Sequence, residues 1–259
     1  MTDDALKLEI TDAVARITMA RPAIHNAFDD VLIAKLGRML VQVGNDDSVR
    51  VVVLAGEGKS FSAGADLGWM QRMADYYDAE NLEDARQLAE VMRLLNELPK
   101  PTIARVHGAT IGGGVGLVAA CDIALASPRA LFCLSEVRLG LIPSVISPYV
   151  VEAIGPRAAR RYFQTAERFD AKTACALGLV HEVVPEADLD TRLAEYLDLL
   201  RQNGPKAMAA SKDLIRRVQA GDIDAAMIDD TAKRIADIRA TDEGREGVAA
   251  FLEKRRPVW

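Results

Sequence analysis

Two short loops of small residues constrain this chain more than any other feature. Each follows an apolar, strand-like run and leads into a helical pattern. The first is Phe61-Ser62-Ala63-Gly64-Ala65-Asp66-Leu67, downstream of the β-branched run at 49–55. The second is Ala109-Thr110-Ile111-Gly112-Gly113-Gly114-Val115-Gly116-Leu117, downstream of the run at 102–106. Small residues leave backbone N–H groups open to a ligand, with no Cβ in the way. The N–H groups of Ala65 and Gly113 are the pair expected to converge on a single oxygen as an oxyanion hole, a geometry that suits a thioester enolate.

A glycine-rich turn before a helix also serves phosphate binding. Neither phosphate motif fits. The run 112–116 lacks the dinucleotide spacing and its following acid, and Gly58-Lys59 has no upstream glycine at the P-loop spacing. The formal net charge of −6 argues against a nucleic-acid surface. No apolar run reaches spanning length, and the acidic start Met1-Thr2-Asp3-Asp4 lacks the features of an export signal, so no membrane is expected as a partner and a cytoplasmic location is the default. Cys121, Cys133 and Cys175 lack CxxC spacing and read as buried thiols in a reducing compartment. His25, His107 and His181 share no motif, so no metal site is expected.

Along the chain, residues 6–10 and 14–19 alternate as a hairpin turning at Thr11-Asp12-Ala13. Apolar residues recur at helical spacing over 26–44. The run at 49–54 is too continuous for a half-exposed strand and predicts burial on both faces. The middle of 66–93, around Tyr76-Tyr77-Asp78, reads as the most mobile segment, and a helix over 82–98 ends before Pro99 and Pro101. Strands follow at 102–106, 123–126 and 131–133, with a helix over 113–120 between the first two. From Pro156 onward the pattern is almost wholly helical, closing with helices over 206–219, 223–240 and 244–254. Periodicity alone gives an α/β class.

These residues resemble the crotonase (enoyl-CoA hydratase/isomerase) superfamily, which pairs an alanine-glycine-alanine-aspartate loop with a glycine-rich turn opening a helix. The likeness runs nearly end to end. It takes in Arg21-Pro22, Asn26-Ala27, Cys121-Asp122-Ile123-Ala124, Ser135-Glu136-Val137, Gly140-Leu141-Ile142-Pro143, Ala176-Leu177-Gly178-Leu179-Val180 and Phe251-Leu252-Glu253-Lys254-Arg255. Within the superfamily, 62–70 and 135–149 look most like bacterial methylglutaconyl-CoA hydratases and the related isoprenoid glutaconyl-CoA hydratases. The resemblance implies a ββα spiral core over 1–200 and a C-terminal helical trimerisation or lid region over 201–259, assembled as a homotrimer or dimer of trimers. It implies an acyl-CoA thioester substrate and no permanently bound cofactor. Coenzyme A contacts are implied for Arg21, Ala23, Lys59, Ala63, Asp66, Leu67, Phe251 and Lys254, and an acyl pocket for Trp69, Met70, Gly116 and Leu141. Asp66 also reads as a helix cap.

The best-known hydratases of the superfamily carry two glutamates, and here only Glu136 is present; Gly116 stands at the other position. Three readings survive. Glu136 alone performs a syn hydration, or it moves a proton between two carbons as an isomerase base, or a carboxyl from elsewhere completes the pair. A non-catalytic CoA-ester binder is the reading outside enzymology. Glu136 needs a pKa raised towards neutrality, and Phe132, Leu134, Val137 and Leu139 offer the apolar setting. A glutaconyl substrate would bring a carboxylate of its own into space left open at Gly116; Arg72 and Arg138 are candidate cations to hold it, though each reads more readily as a surface or structural ion pair.

Overall fold

Residues 5–259 are described here in a computed structural model; the acidic start, 1–4, lies outside the described residues. The chain winds through two sheets of different character. The first strands, β1 (Leu6–Thr11) and β2 (Val14–Met19), form the antiparallel hairpin. Its turn is shorter than the sequence suggests: Thr11 pairs with Val14, and only Asp12 and Ala13 turn, both at positive φ. That is the primed geometry whose twist matches the flanking strands.

The chain then alternates long and short strands. β3 (Val51–Gly56) is followed by β4 (Ser60–Ser62), β5 (Thr102–Val106) by β6 (Ala109–Ile111), and β7 (Ile123–Ala126) by β8 (Leu131–Cys133). Two-residue strands β9 (Phe169–Asp170) and β10 (Glu182–Val183) close the set. The long strands, with the two-residue β10 at one edge, assemble in the order β1-β2-β3-β5-β7-β10, parallel beyond the hairpin. The short strands form a second sheet, β4-β6-β8-β9, parallel except for its last pair. Each long-short pair leads to helical structure, the repeated ββα unit expected of a spiral core.

Burial explains the long sheet. β3 is buried on both faces, as its unbroken apolar run predicts. Val52 and Leu54 enter the main core, while Val51 and Val53 meet Ile103, Leu125, Leu189 and Leu193 on the other side. Each such side chain contributes about 1.5–3 kcal/mol when fully removed from water.

Helix α1 (Asp30–Asn45) begins four residues later than the 26–44 pattern suggests. The Asp29 carboxylate caps it by accepting the Leu32 N–H at 2.9 Å. Asn26 is instead fully buried at positive φ, and its amide donates to the Glu57 and Ser60 carbonyls at 2.8 and 2.7 Å, pinning the turn before β4. After α2 (Leu67–Met73), helix α3 (Asp78–Asn96) starts earlier than expected, because the Glu80 carboxylate accepts the Tyr77 N–H at 2.9 Å. Helix α4 (Gly113–Ala119) follows β6, and α5 (Ser147–Thr165) follows β8. Cys121 and Cys133 are buried, with burial pushing the Cys121 thiol up to about 12; Cys175 is only half-buried, unlike the reading of all three as core thiols.

After α6 (Ala171–Leu177) and α7 (Leu189–Arg201) the chain ends in α8 (Pro205–Gln219), α9 (Ala225–Ala240) and α10 (Asp242–Leu252). Among the described residues these last three helices supply no side chain to either core cluster. Ion pairs connect them to the body, Lys212 to Asp122 at 2.8 Å and Arg216 to Glu97 at 2.8 Å. No helix among the described residues is long and apolar enough to cross a membrane.

Candidate active site

β4, β6 and β8 run parallel and therefore end on the same side of the short sheet. Their C-terminal ends deliver Ala63-Gly64-Ala65, Gly112-Gly113 and Ser135-Glu136 to one place. The Gly112 N–H donates to the Cys133 carbonyl at 2.8 Å, tying the second loop to the third.

Phe28 builds the pair of amides, a role the helical reading of 26–44 concealed. It bridges to Ala65 in parallel fashion, its N–H donating to Gly64 O at 2.8 Å and its carbonyl accepting from the Asp66 N–H at 2.9 Å. Ala65 between them turns its own N–H away from Phe28. The Gly113 N–H opens α4 and lies among those a helix leaves without an internal acceptor. Neither the Ala65 nor the Gly113 N–H has an acceptor among the described residues. The Phe28 ring lies on Gly113, where an added Cβ would come within 3.2 Å of Cε2 and closer still to Cζ. The Trp69 ring lies 6.4 Å from it between centroids.

Glu136 opens a short 3₁₀ turn, Glu136–Leu139, and its carboxyl lies against Gly112. A Cβ on Gly112 would sit 3.1 Å from Oε1, so a residue with a side chain would crowd the carboxyl, and the φ of +52° there is a second reason for glycine. Oε2 is buried with no hydrogen-bond partner. Burial raises the carboxyl above its ordinary value, opposed only by a backbone hydrogen bond of its own; no cation offsets it. The direction matches the apolar setting anticipated from sequence. Phe132 and Leu134 are buried, whereas Leu139 is exposed and turns out to be surface.

The remaining residues divide. Asp66 caps α2, its Oδ1 accepting from the Gly68 and Trp69 N–H groups at 2.9 and 3.1 Å, while Oδ2 pairs with Arg21. Arg21 also donates to Asp29 and to the Ala27 carbonyl, so its guanidinium clamps the loops together. Ala23 lies in an exposed 3₁₀ turn and Lys59 in the exposed turn before β4. Trp69 is buried, with its indole N–H donating to Asp84 at 3.1 Å; Met70 is half-buried, and Leu67 and Leu141 are exposed. Phe251 and Lys254 are exposed at the end of α10, with no hydrogen bond or ion pair joining them to the three loops.

One expectation fails: the space at Gly116 is not open, because Ile146 and Met92 fill it. The two arginines hold structural partners, the other role open to them from sequence: Arg72 pairs with Asp30 and Arg138 donates to the Ala166 carbonyl at 2.6 Å.

Two unaccepted amides beside a desolvated carboxyl form an arrangement suited to holding an oxyanion next to a proton-transfer group. Known proteins agree with that class. Residues 9–259 match the family described as enoyl-CoA hydratase/isomerase, to which the chain belongs. The crystal structure of an enoyl-CoA hydratase from Shewanella pealeana superimposes with a TM-score of 0.96 at 46% identity, over 98% of this chain and 96% of that one. A short-chain-enoyl-CoA hydratase of Clostridium acetobutylicum is 32% identical over 96% of this chain and 95% of its own length. A mitochondrial Delta(3,5)-Delta(2,4)-dienoyl-CoA isomerase of Dictyostelium discoideum is also 32% identical, covering 98% and 90%. The chain is thus a crotonase-superfamily enzyme, a family that acts on acyl-CoA thioesters.

Proposed function

We propose that this enzyme hydrates the α,β double bond of a branched or carboxylated enoyl-CoA, with 3-methylglutaconyl-CoA of leucine breakdown or a related glutaconyl-CoA as substrate. The observation that carries the chemistry is the desolvated Glu136 carboxyl, with Oε2 unpartnered, at the strand ends that also present the Ala65 and Gly113 amides. The choice of acyl group rests on the likeness of 62–70 and 135–149 to glutaconyl-CoA hydratases.

In this reading the two N–H groups hold the thioester oxygen. Glu136 takes a proton from water as the water oxygen bonds to Cβ, and the double-bond electrons move onto the thioester as an enolate. The protonated Glu136 then returns that proton to Cα, so that one water is added. Arg21, Ala23, Lys59, Ala63, Asp66 and Leu67 frame the CoA side, and Trp69, Met70 and Leu141 the acyl side. Phe251 and Lys254 close over the cofactor across a subunit boundary in a trimer or dimer of trimers. The apolar residues exposed beyond residue 200, Ile223, Ile228, Val248 and Phe251 among them, support assembly through the 201–259 region.

The filled volume at Gly116 favours a second reading, Δ3-Δ2 isomerisation. There Glu136 removes a Cα proton to give a dienolate and returns it at Cγ, and no water is needed. Incubation in ¹⁸O-water with 3-methylglutaconyl-CoA, crotonyl-CoA and a 3-enoyl-CoA distinguishes the two. The expected result is a labelled hydroxyacyl product from the glutaconyl ester. Mass-neutral conversion of the 3-enoyl ester alone makes the enzyme an isomerase, and binding without turnover makes it a CoA-ester binder.

A further inference from the structure

Ile146 occupies a place that decides what can stand opposite Glu136. Gly116 lies one helical turn beyond Gly112, and its N–H donates to the Gly112 carbonyl at 3.4 Å. It therefore lies one turn along α4 from the N-cap glycine against which the Glu136 carboxyl rests. Helical side chains lean towards the N-terminus, so any side chain at 116 would point back towards that carboxyl. A Cβ there would come 2.7 Å from the Ile146 Cβ, closer still to its Cγ2, and 3.3 Å from the Met92 Cε.

Ile146 meets the added carbon with its rigid Cβ, whereas Met92 meets it only with the flexible end of its side chain. Ile146 is 2% exposed and Met92 fully buried, both within the main core. The Ile146 carbonyl accepts the Val150 N–H at 3.1 Å in the first turn of α5, which fixes its backbone. Its β-branched side chain has few rotamers. The segment that places Glu136 also places Ile146: the Leu141 N–H donates to the Glu136 carbonyl at 3.1 Å, and the chain reaches Ile146, at the start of α5, five residues later. Carboxyl and plug arrive on one loop.

We propose that Ile146 is the specificity-determining residue of this site: it fills the volume opposite Glu136, keeps proton transfer on one carboxyl and denies water a polar partner on that side. Gly116 and Ile146 are therefore a coupled pair, and neither can be changed alone without loss. The inference rests on Glu136 as the proton-transfer group.

The test is a double-mutant cycle with two readouts. Thermal unfolding of Gly116→Ala, Ile146→Ala and the double variant measures the steric coupling without reference to activity. The expected result is that Gly116→Ala lowers Tm in the wild-type background and lowers it far less when Ile146 is alanine. Product analysis in ¹⁸O-water then compares Gly116→Glu with Gly116→Glu/Ile146→Ala on crotonyl-CoA. The double variant is expected to incorporate label about tenfold faster or more, and to gain a second ionisation in its pH profile. Additive Tm changes, or Gly116→Glu alone folding and hydrating as well as the double variant, would overturn the role of Ile146 while wild-type turnover upholds the enzyme reading. A wild-type protein inactive on every ester removes the proton-transfer reading and the specificity role with it.

Discussion

The two sheets of this protein are held together differently and do different work. The long sheet is centred on β3, a continuous apolar run whose side chains help fill a core on each face. The short sheet has strands of two or three residues, and several of its buried side chains are polar: Ser60, Ser62 and Thr110 are almost fully enclosed. Ser62 donates to the Asn26 carbonyl at 2.9 Å, and Ser60 lies 3.0 Å from the His25 ring nitrogen Nδ1. Apolar burial is non-directional, whereas hydrogen bonds fix angles. Both sheets bury apolar side chains, Phe61 and Phe132 of the short sheet among them, but it is the short sheet that aims three strand ends at one point.

The strongest way to break that division is at Glu136. Glu136→Gln is expected to reduce turnover by about 10²–10⁴-fold with little change in acyl-CoA affinity, read by steady-state kinetics and calorimetry. The same change should raise Tm. The folded carboxyl has a raised pKa, so the native state holds its proton more tightly than the unfolded chain. The associated loss of stability is absent below the unfolded value near 4.5, grows as pH rises, and is complete above the folded value. The Tm advantage of the glutamine variant should therefore widen from acid towards neutral pH. An equal Tm at every pH would show that the carboxyl is not strained by burial.

Phe28→Ala tests the meeting of the two roles. Removing a ring that is 3% exposed should cost about 3–5 kcal/mol by denaturant unfolding. Because the ring also lies on Gly113, turnover per folded molecule should fall as well. A purely thermodynamic loss would assign Phe28 to the core alone.

The smallest effect sharpens the comparison from the other side. The Asp122 carboxylate accepts from the Thr102 N–H and hydroxyl at 2.8 and 2.9 Å at the start of β5, and pairs with Lys212 of α8. Asp122→Ala leaves a buried N–H without its acceptor and should cost about 1–3 kcal/mol, measured by urea unfolding. Turnover per folded molecule should be unchanged. A fall in turnover would connect the long sheet to the chemistry.

Legibility followed the same boundary. The long strands are readable in the sequence, β1 and β2 by alternation and β3, β5 and β7 as largely apolar runs, and so is β8. β4, β6 and β9 are not, since two or three residues carry no usable period. The small-residue loops were visible, but the strands that aim them were not. Asn26 and Phe28 sit in a helical pattern that Asp29 cuts short by capping, so their roles in pinning the β4 turn and exposing the Ala65 N–H could not be seen. Gly116 was legible as a missing side chain and misread as a missing volume.

The sequence by itself determined the α/β class, the family fingerprint, the two loops and the lone carboxyl at Glu136, because each is a local pattern of residue types. Only the tertiary structure decided that three short parallel strands end together, that Phe28 orients one amide and lies over the other, and that Ile146 fills the space beside Gly116. Those are contacts between residues about 20 to 85 positions apart, and close packing, which leaves few voids, settles them only when the whole core assembles.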